Sequence, residues 1–234
     1  YPMGTHLKVK AGKVDAGGFS DVSEHREGLA PVYARFDRQP PTGKADPHRE
    51  DLNMLLRGLF LTSWLVEDFM FESDYFGASQ YVVTSASSKT AIALAFAVRQ
   101  RGQARCIGLT SASNVDFVKG LGCYDEVLAY EEVASLDPSQ ATIAVDMAGS
   151  HDILASVHNH FGDRLKYSCL IGATHYHEGG DNSGLPGAEP TLFFAPSQVE
   201  KRVQDWGGAV LYQRLGEGLV QFQDFCDPSI NVVR

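Results

Sequence analysis

Residues 80–100 read QYVVTSASSKTAIALAFAVRQ and join two patterns in one run. Gln80 to Ser85 is short and β-branched, which predicts a strand. Ser87 to Gln100 contains Ala91-Ile92-Ala93-Leu94-Ala95-Phe96-Ala97-Val98, apolar all round, which predicts a buried helix ending near Gly102. A strand that turns directly into a buried helix is the opening unit of an α/β sheet.

The same alternation continues outward. ARCIGLTS at 104–111 predicts a second strand, and Asn114 to Leu121 a helix stopped by Gly122. EVLAY at 126–130 predicts a third strand and Glu131 to Leu136 a short helix. ATIAVDMAG at 141–149 predicts a fourth strand and His151 to His160 a helix, before a fifth strand in KYSCLIGATHY at 166–176. Alternating strands and helices imply parallel pairing, and the near-continuous apolar strands imply cover on both faces. Residues 78–176 are therefore expected to form a Rossmann-type, doubly wound α/β unit. Upstream, residues 51–73 predict an amphipathic helix, and HLKV and KVDA near the start are candidate short strands. Downstream come a glycine-rich segment, Glu178 to Glu189, then TLFFAP and two helices, Ser197–Trp206 and Ala209–Phe222.

The chemistry concentrates at Thr84-Ser85-Ala86-Ser87-Ser88-Lys89-Thr90-Ala91, where the first strand becomes the first helix. In a Rossmann unit that turn holds a pyrophosphate on free backbone N–H groups at the helix N-terminus. The usual glycines are absent, so Ser87, Ser88, Thr90 and the Lys89 ammonium are expected to supply the donors. Two other readings compete. Ser88-Lys89-Thr90 imitates the end of a P-loop, but Val83 and Ser88 stand where its glycines belong. Alternatively, Ser87 or Ser88 merely caps the helix. At the end of the second strand, Leu109-Thr110-Ser111-Ala112-Ser113-Asn114 lacks the acid that binds an adenosine ribose in NAD enzymes. Thr110 and Ser111 beside a cation favour NADP, while Ser113 is read as the next helix cap.

YVVTSASSKTAIALAFAV, IGLTSASNVDFVKGLGCYDEVLAY, IAVDMAG and IGATH together resemble the cofactor domain of medium-chain dehydrogenase/reductases, in particular the quinone-oxidoreductase branch. Leu121-Gly122-Cys123-Tyr124-Asp125-Glu126-Val127 and Asp146-Met147-Ala148-Gly149 match two of that branch's segments. The string SASSKTA is itself similar to that of a quinone-oxidoreductase-like family without an assigned activity. The resemblance implies that residues 1–48 are the tail of a GroES-like substrate domain and that 49–77 is a linking helix. It implies that 177–234 packs on the Rossmann unit. It also implies that Thr62-Ser63 lies near the cofactor and that Gly149, Gly172, Thr174 and His175 border the nicotinamide. The zinc branch's cysteine cluster and Gly-His-Glu segment do not occur.

The remaining features narrow the function. A formal charge of −9 with no long basic run argues against non-specific nucleic-acid binding. Four cysteines without a C-x-x-C pair suit a reducing compartment, and Tyr1 to Lys10 lacks a signal-peptide pattern, so an intracellular site is expected. The chain does not begin with Met, which reads as a fragment or processed product. Leu52 to Phe71 carries Arg57, Glu67 and Asp68 and reads as a buried helix, not a membrane span. His175-x-His177-Glu178 is too sparse for a metal site. His158 and His160, two apart on a helix, point in different directions and are read as solvated or capping. His175 stands out because it follows a strand end, where a proton donor is useful. Tyr167 and Tyr176 are not singled out, and no G-x-S-x-G elbow occurs. Two functions result. One is an NADP-dependent, zinc-independent oxidoreductase of small quinone or enone substrates, acting as a homo-oligomer or a subunit. The other is a non-catalytic Rossmann scaffold within a larger assembly.

Overall fold

A computed structural model describes residues 6–38, 46–171 and 184–232. The chain divides into two compact units, Tyr1–Glu50 and Asp51–Arg234.

The first unit is a three-stranded antiparallel sheet of β1 (Ala11–Asp15), β2 (Gly18–Asp21) and β3 (Arg35–Asp37). The KVDA expectation falls in this hairpin, whereas residues 6–10 form no strand. Gly18 is needed where it stands: its φ is +149°, and a Cβ there would lie 2.0 Å from the Phe36 carbonyl oxygen. Arg35 ties β3 to β1 by donating to both carboxylate oxygens of Asp15, at 2.9 and 2.7 Å.

The second unit is built on a six-stranded, wholly parallel sheet. Its strands are β4 (Gln80–Val83), β5 (Arg105–Thr110), β6 (Glu126–Ala129), β7 (Thr142–Asp146), β8 (Leu165–Leu170) and β9 (Pro190–Leu192). Their order is β6-β5-β4-β7-β8-β9. Helices α1 (Pro47–Glu72), α2 (Lys89–Arg101), α3 (Val115–Leu121), α4 (His151–Phe161), α5 (Ala195–Trp206) and α6 (Gly208–Cys226) flank it. This is the expected Rossmann-type, doubly wound arrangement. The sheet is sandwiched between two apolar layers. One joins α1, α2 and α6 to β4 through Leu56, Leu94, Tyr81 and Phe222. The other packs Val157 and Phe161 of α4 on Ile107, Leu109 and Ala144.

The boundaries differ from expectation for local reasons. The first helix begins at Pro47, a residue suited to a first turn. The helix after β4 begins at Lys89, not Ser87, because Ser88 occupies the cap. Residues 112–114 form a 3-10 turn that precedes α3, so Ser113 is not the cap; Asn114 holds that position without a side-chain bond. The sixth strand of the parallel sheet, β9, has only three residues and is too short to show a period. All four cysteines are free and buried. Among the described residues, no helix is long and apolar enough to cross a membrane.

Candidate functional site

In this strand order the chain runs one way from β4 through β5 to β6 and the other way from β7 through β8 to β9. The strand order therefore reverses between β4 and β7, and the carboxyl ends of these two strands are where an open α/β sheet forms its ligand crevice. The turn 84–88 stands at its edge.

That turn is held from several sides. Ser85 is left-handed, with φ +49°, a conformation in which glycine is ordinarily found. Its N–H donates to the Tyr130 hydroxyl at 3.2 Å. Ala86 is buried, donates to the Leu109 carbonyl at 2.9 Å and accepts from the Tyr124 hydroxyl at 3.0 Å. The close approach is made possible by Gly108 on β5. A Cβ there would lie 2.8 Å from the Ala86 Cβ and 3.0 Å from the Tyr124 ring. The turn itself contains no glycine, yet the neighbouring strand has one where the turn presses on it.

The predicted donors divide. The Ser88 hydroxyl caps α2, accepting from the Ala91 N–H at 3.2 Å. The Ser87 hydroxyl accepts from Thr110 at 3.4 Å and from the Asn114 amide at 3.3 Å, which brings the cofactor turn and the end of β5 together. Ser111 pairs with Ser113 at 3.2 Å. Thr90 gives its carbonyl to the Ser63 hydroxyl at 2.7 Å, whereas Thr62 donates back to Gly58 of its own helix at 3.1 Å. Of these two α1 residues, Ser63 is therefore the one that touches α2. Lys89 is exposed. It lines a cavity of about 270 Å³ between α2, α3 and α6, whose walls include Ile92, Phe117 and Phe222. The first turn of α2 leaves the Lys89 and Thr90 N–H groups without acceptors inside the helix. Gly172, Thr174, His175, Tyr176, His177 and Glu178 lie outside the described residues. Among the described residues, no cluster of side chains suits a metal ion.

A family model covers residues 1–234. The chain belongs to the family of proteins of unknown function DUF2855. Comparison with curated proteins yields no match. Among solved structures, the DUF2855 chain is similar to a protein of Mesorhizobium loti assigned as an NADPH:quinone reductase. The identity is 15% and the TM-score 0.53, over 87% of this chain and 57% of the other. It is similar also to the quinone oxidoreductase of Thermus thermophilus, at 14% identity and a TM-score of 0.47, over 86% and 58% of the two chains. The CurK enoyl reductase gives 13% identity and a TM-score of 0.47, over 87% and 58%. The first likeness shows a shared fold. The DUF2855 chain spans 57% of the length of that first structure.

Two features of the DUF2855 site escaped the sequence reading. One is a buried lock between the loops that flank the crevice. Thr84 donates to Asp146 Oδ1 at 2.6 Å and accepts from the Met147 and Ala148 N–H groups at 2.9 and 3.1 Å. Asp146 further accepts from Ala148 and Gly149, both at 3.1 Å. The D-x-x-G spacing of Asp146 and Gly149 was the available signal, since a strand-end carboxylate readily accepts from the next N–H groups.

The other is His158, which corrects the expectation of a solvated histidine. It is fully buried. Its Nδ1 lies 2.9 Å from the Pro186 carbonyl, which only accepts, so Nδ1 carries the proton. Nε2 lies 2.8 Å from the Ser168 hydroxyl and accepts from it. The ring pins α4 to β8 and to the segment before β9. Burial pulls its pKa below the ordinary 6.5. The unfolded chain therefore takes up a proton near 6.5 while the folded chain resists. The stability contributed by neutral His158 is complete above that pH and declines as pH falls toward the folded-state value. The advantage of the wild type over His158→Gln should shrink in urea melts between pH 7.5 and 5.5, and a constant difference would exclude this linkage.

Proposed function

We propose that this chain is the cofactor-binding part of an NADPH-dependent, zinc-independent reductase of quinone or enone substrates. The observation that carries the reading is the end of β5, where Thr110 and the following Ser111 stand in place of an acid. The Asp146 carboxylate is buried and engaged by its own loop. An anion approaching the start of α2 meets the N–H groups of its first turn and the Lys89 ammonium. The residues fit a dinucleotide phosphate. Gly108 lets the turn lie low on β5, and on this reading the Ser87, Thr110 and Ser111 hydroxyls exchange their bonds to one another, to Asn114 and to Ser113 for an adenosine ribose. Lys89 is the cation for a 2′-phosphate. When bound, the nicotinamide supplies a hydride. The chain's residues hold and orient it. On sequence grounds alone, Thr174 and His175 face the ring, with His175 as proton donor to the substrate. An intracellular homo-oligomer or subunit is the accompanying expectation.

A second reading is favoured by one observation. The Ser88 hydroxyl is consumed as a cap and that of Ser87 by Thr110 and Asn114. A turn satisfied by its own side chains suits a non-catalytic scaffold. NADPH titration of the intact protein, followed by cofactor fluorescence, separates the two. The reductase reading expects saturable binding with NADPH preferred to NADH. Lys89→Ala should weaken it about 10- to 100-fold, the loss of one charge-assisted contact. No binding at roughly millimolar NADPH, far above ordinary cofactor requirements, would leave the scaffold reading.

A further inference from the structure

The far end of α2 carries a second arrangement, independent of the turn. α2 has 13 residues, so its last turn lies about 18 Å from its first, at the opposite edge of the sheet. There, between α1, α2 and α6, is a cavity of about 230 Å³. Phe60, Trp64 and Phe96 form its apolar walls, Glu67 and Arg101 its polar floor, and Gln100 and Gln221 also line it. Gly218 keeps it open, since a Cβ at that position would lie 2.9 Å from Phe60 Cζ.

The floor is preorganised. Arg101 Nε donates to both oxygens of Glu67, at 2.6 and 2.7 Å, and its guanidinium lies 3.9 Å over the Phe71 ring. Among the described residues, no acceptor is bonded to its outer amines, Nη1 and Nη2. A planar fork held along one edge, with its other donors left over, matches a carboxylate. Three aromatic rings beside it match a flat apolar body. The space exceeds the roughly 150 Å³ that accommodates a benzene ring.

We propose that this cavity binds a small aromatic carboxylate, with the carboxylate on the outer amines of Arg101 and the ring against Trp64, Phe60 and Phe96. Glu67 is the positioning residue. It is buried and interacts with Arg101 of α2, Asp68 of α1 and Tyr75, and burial pushes it up to about 7. Tyr81 of β4 faces it as well, with Cys106 of β5 beyond. A ligand anion competes with Glu67 for the guanidinium, so Glu67 takes up a proton as the anion binds. Affinity then rises as pH falls from 8 to 6.

Benzoate is the probe, read by quenching of tryptophan fluorescence and by calorimetry on the intact protein. Saturable binding is expected near ~1 mM, reasonable for nine non-hydrogen atoms. It should be at least about tenfold tighter than that of toluene, which has no charge, or acetate, which has no ring. Ala97→Phe fills the cavity without touching the ion pair and should abolish it. The double variant Glu67→Gln with Arg101→Met leaves no lone buried charge and should lose benzoate while keeping toluene. Glu67→Gln alone should bind benzoate with a flat profile between pH 6 and 8. Toluene binding as tightly as benzoate, benzoate unaffected by Ala97→Phe, or no saturation at tens of millimolar would each overturn the proposal. None of these outcomes bears on NADPH binding at the other end of α2.

Discussion

Replacing Arg202 by methionine lowers stability by about 3–5 kcal/mol, the usual result of leaving a buried charge without its partner. Arg202 is 6% exposed, and the carboxyl group it meets, Asp68, is 2% exposed. The guanidinium bonds Asp68 through Nε at 2.5 Å, Glu72 through Nη2 at 2.9 Å and Asp205 through Nη1 at 2.9 Å. It also lies 4.5 Å over the Trp206 ring. One planar group thus fastens α5 to α1. Without it, Asp68 keeps the Gln198 amide at 2.9 Å but no cation. For a unit of this size the loss corresponds to a fall in Tm of roughly 6–20 °C. Arg202→Lys should fall between, since an ammonium is a point charge and cannot serve three carboxylates in a plane. The double variant Asp68→Leu with Arg202→Met should recover most of the loss, because a hydrophobic pair removes the stranded charge. Urea midpoints decide it. An Arg202→Met protein within about 0.5 kcal/mol of the wild type would mean that the cluster contributes no more than an ordinary surface contact.

How much of this was visible in the sequence depends on whether the cause is local. The β4–α2 unit was legible because strand and helix periods and the apolar run 91–98 are properties of neighbouring residues. The parallel sheet followed from alternation alone. The α1–α5 clamp was not legible, since Asp68 and Arg202 stand 134 positions apart and each reads as a surface charge. His158 was missed for the same reason: its partners, Ser168 and Pro186, belong to other elements. The site shows both sides. Ser87, Ser88 and Lys89 were placed on the β4–α2 turn from sequence, but local sequence gives no way to tell a hydroxyl aimed at a ligand from one capping its own helix. Nor could it show that the glycine needed for close approach is Gly108, on the neighbouring strand.

Asp146 is where the fold and the candidate site meet, and Asp146→Ala should cost about 3 kcal/mol. Hydrogen bonds to a charged group contribute about 1.5–3 kcal/mol each. Asp146 receives three, from Thr84, Ala148 and Gly149. Part of that total is offset because a buried carboxylate no longer has to be desolvated. Asp146→Asn should not rescue it, since an amide nitrogen would face the N–H donors of the loop. Thr84→Val keeps the shape but strands the Met147 N–H and leaves Asp146 Oδ1 only the Ala148 N–H, for about 1–3 kcal/mol. The double variant should fall short of the sum of the two, because both remove the same 2.6 Å bond. Stability alone would not distinguish this lock from any buried network, so amide exchange is the sharper test. Exchange at Met147, Ala148 and Gly149 should quicken in Asp146→Ala while that of β4 and β5 does not. If the crevice beside this loop holds NADPH, affinity should fall in the same variant at temperatures where the sheet is intact. Exchange unchanged at those three amides would show that the loop is ordered by something other than Asp146.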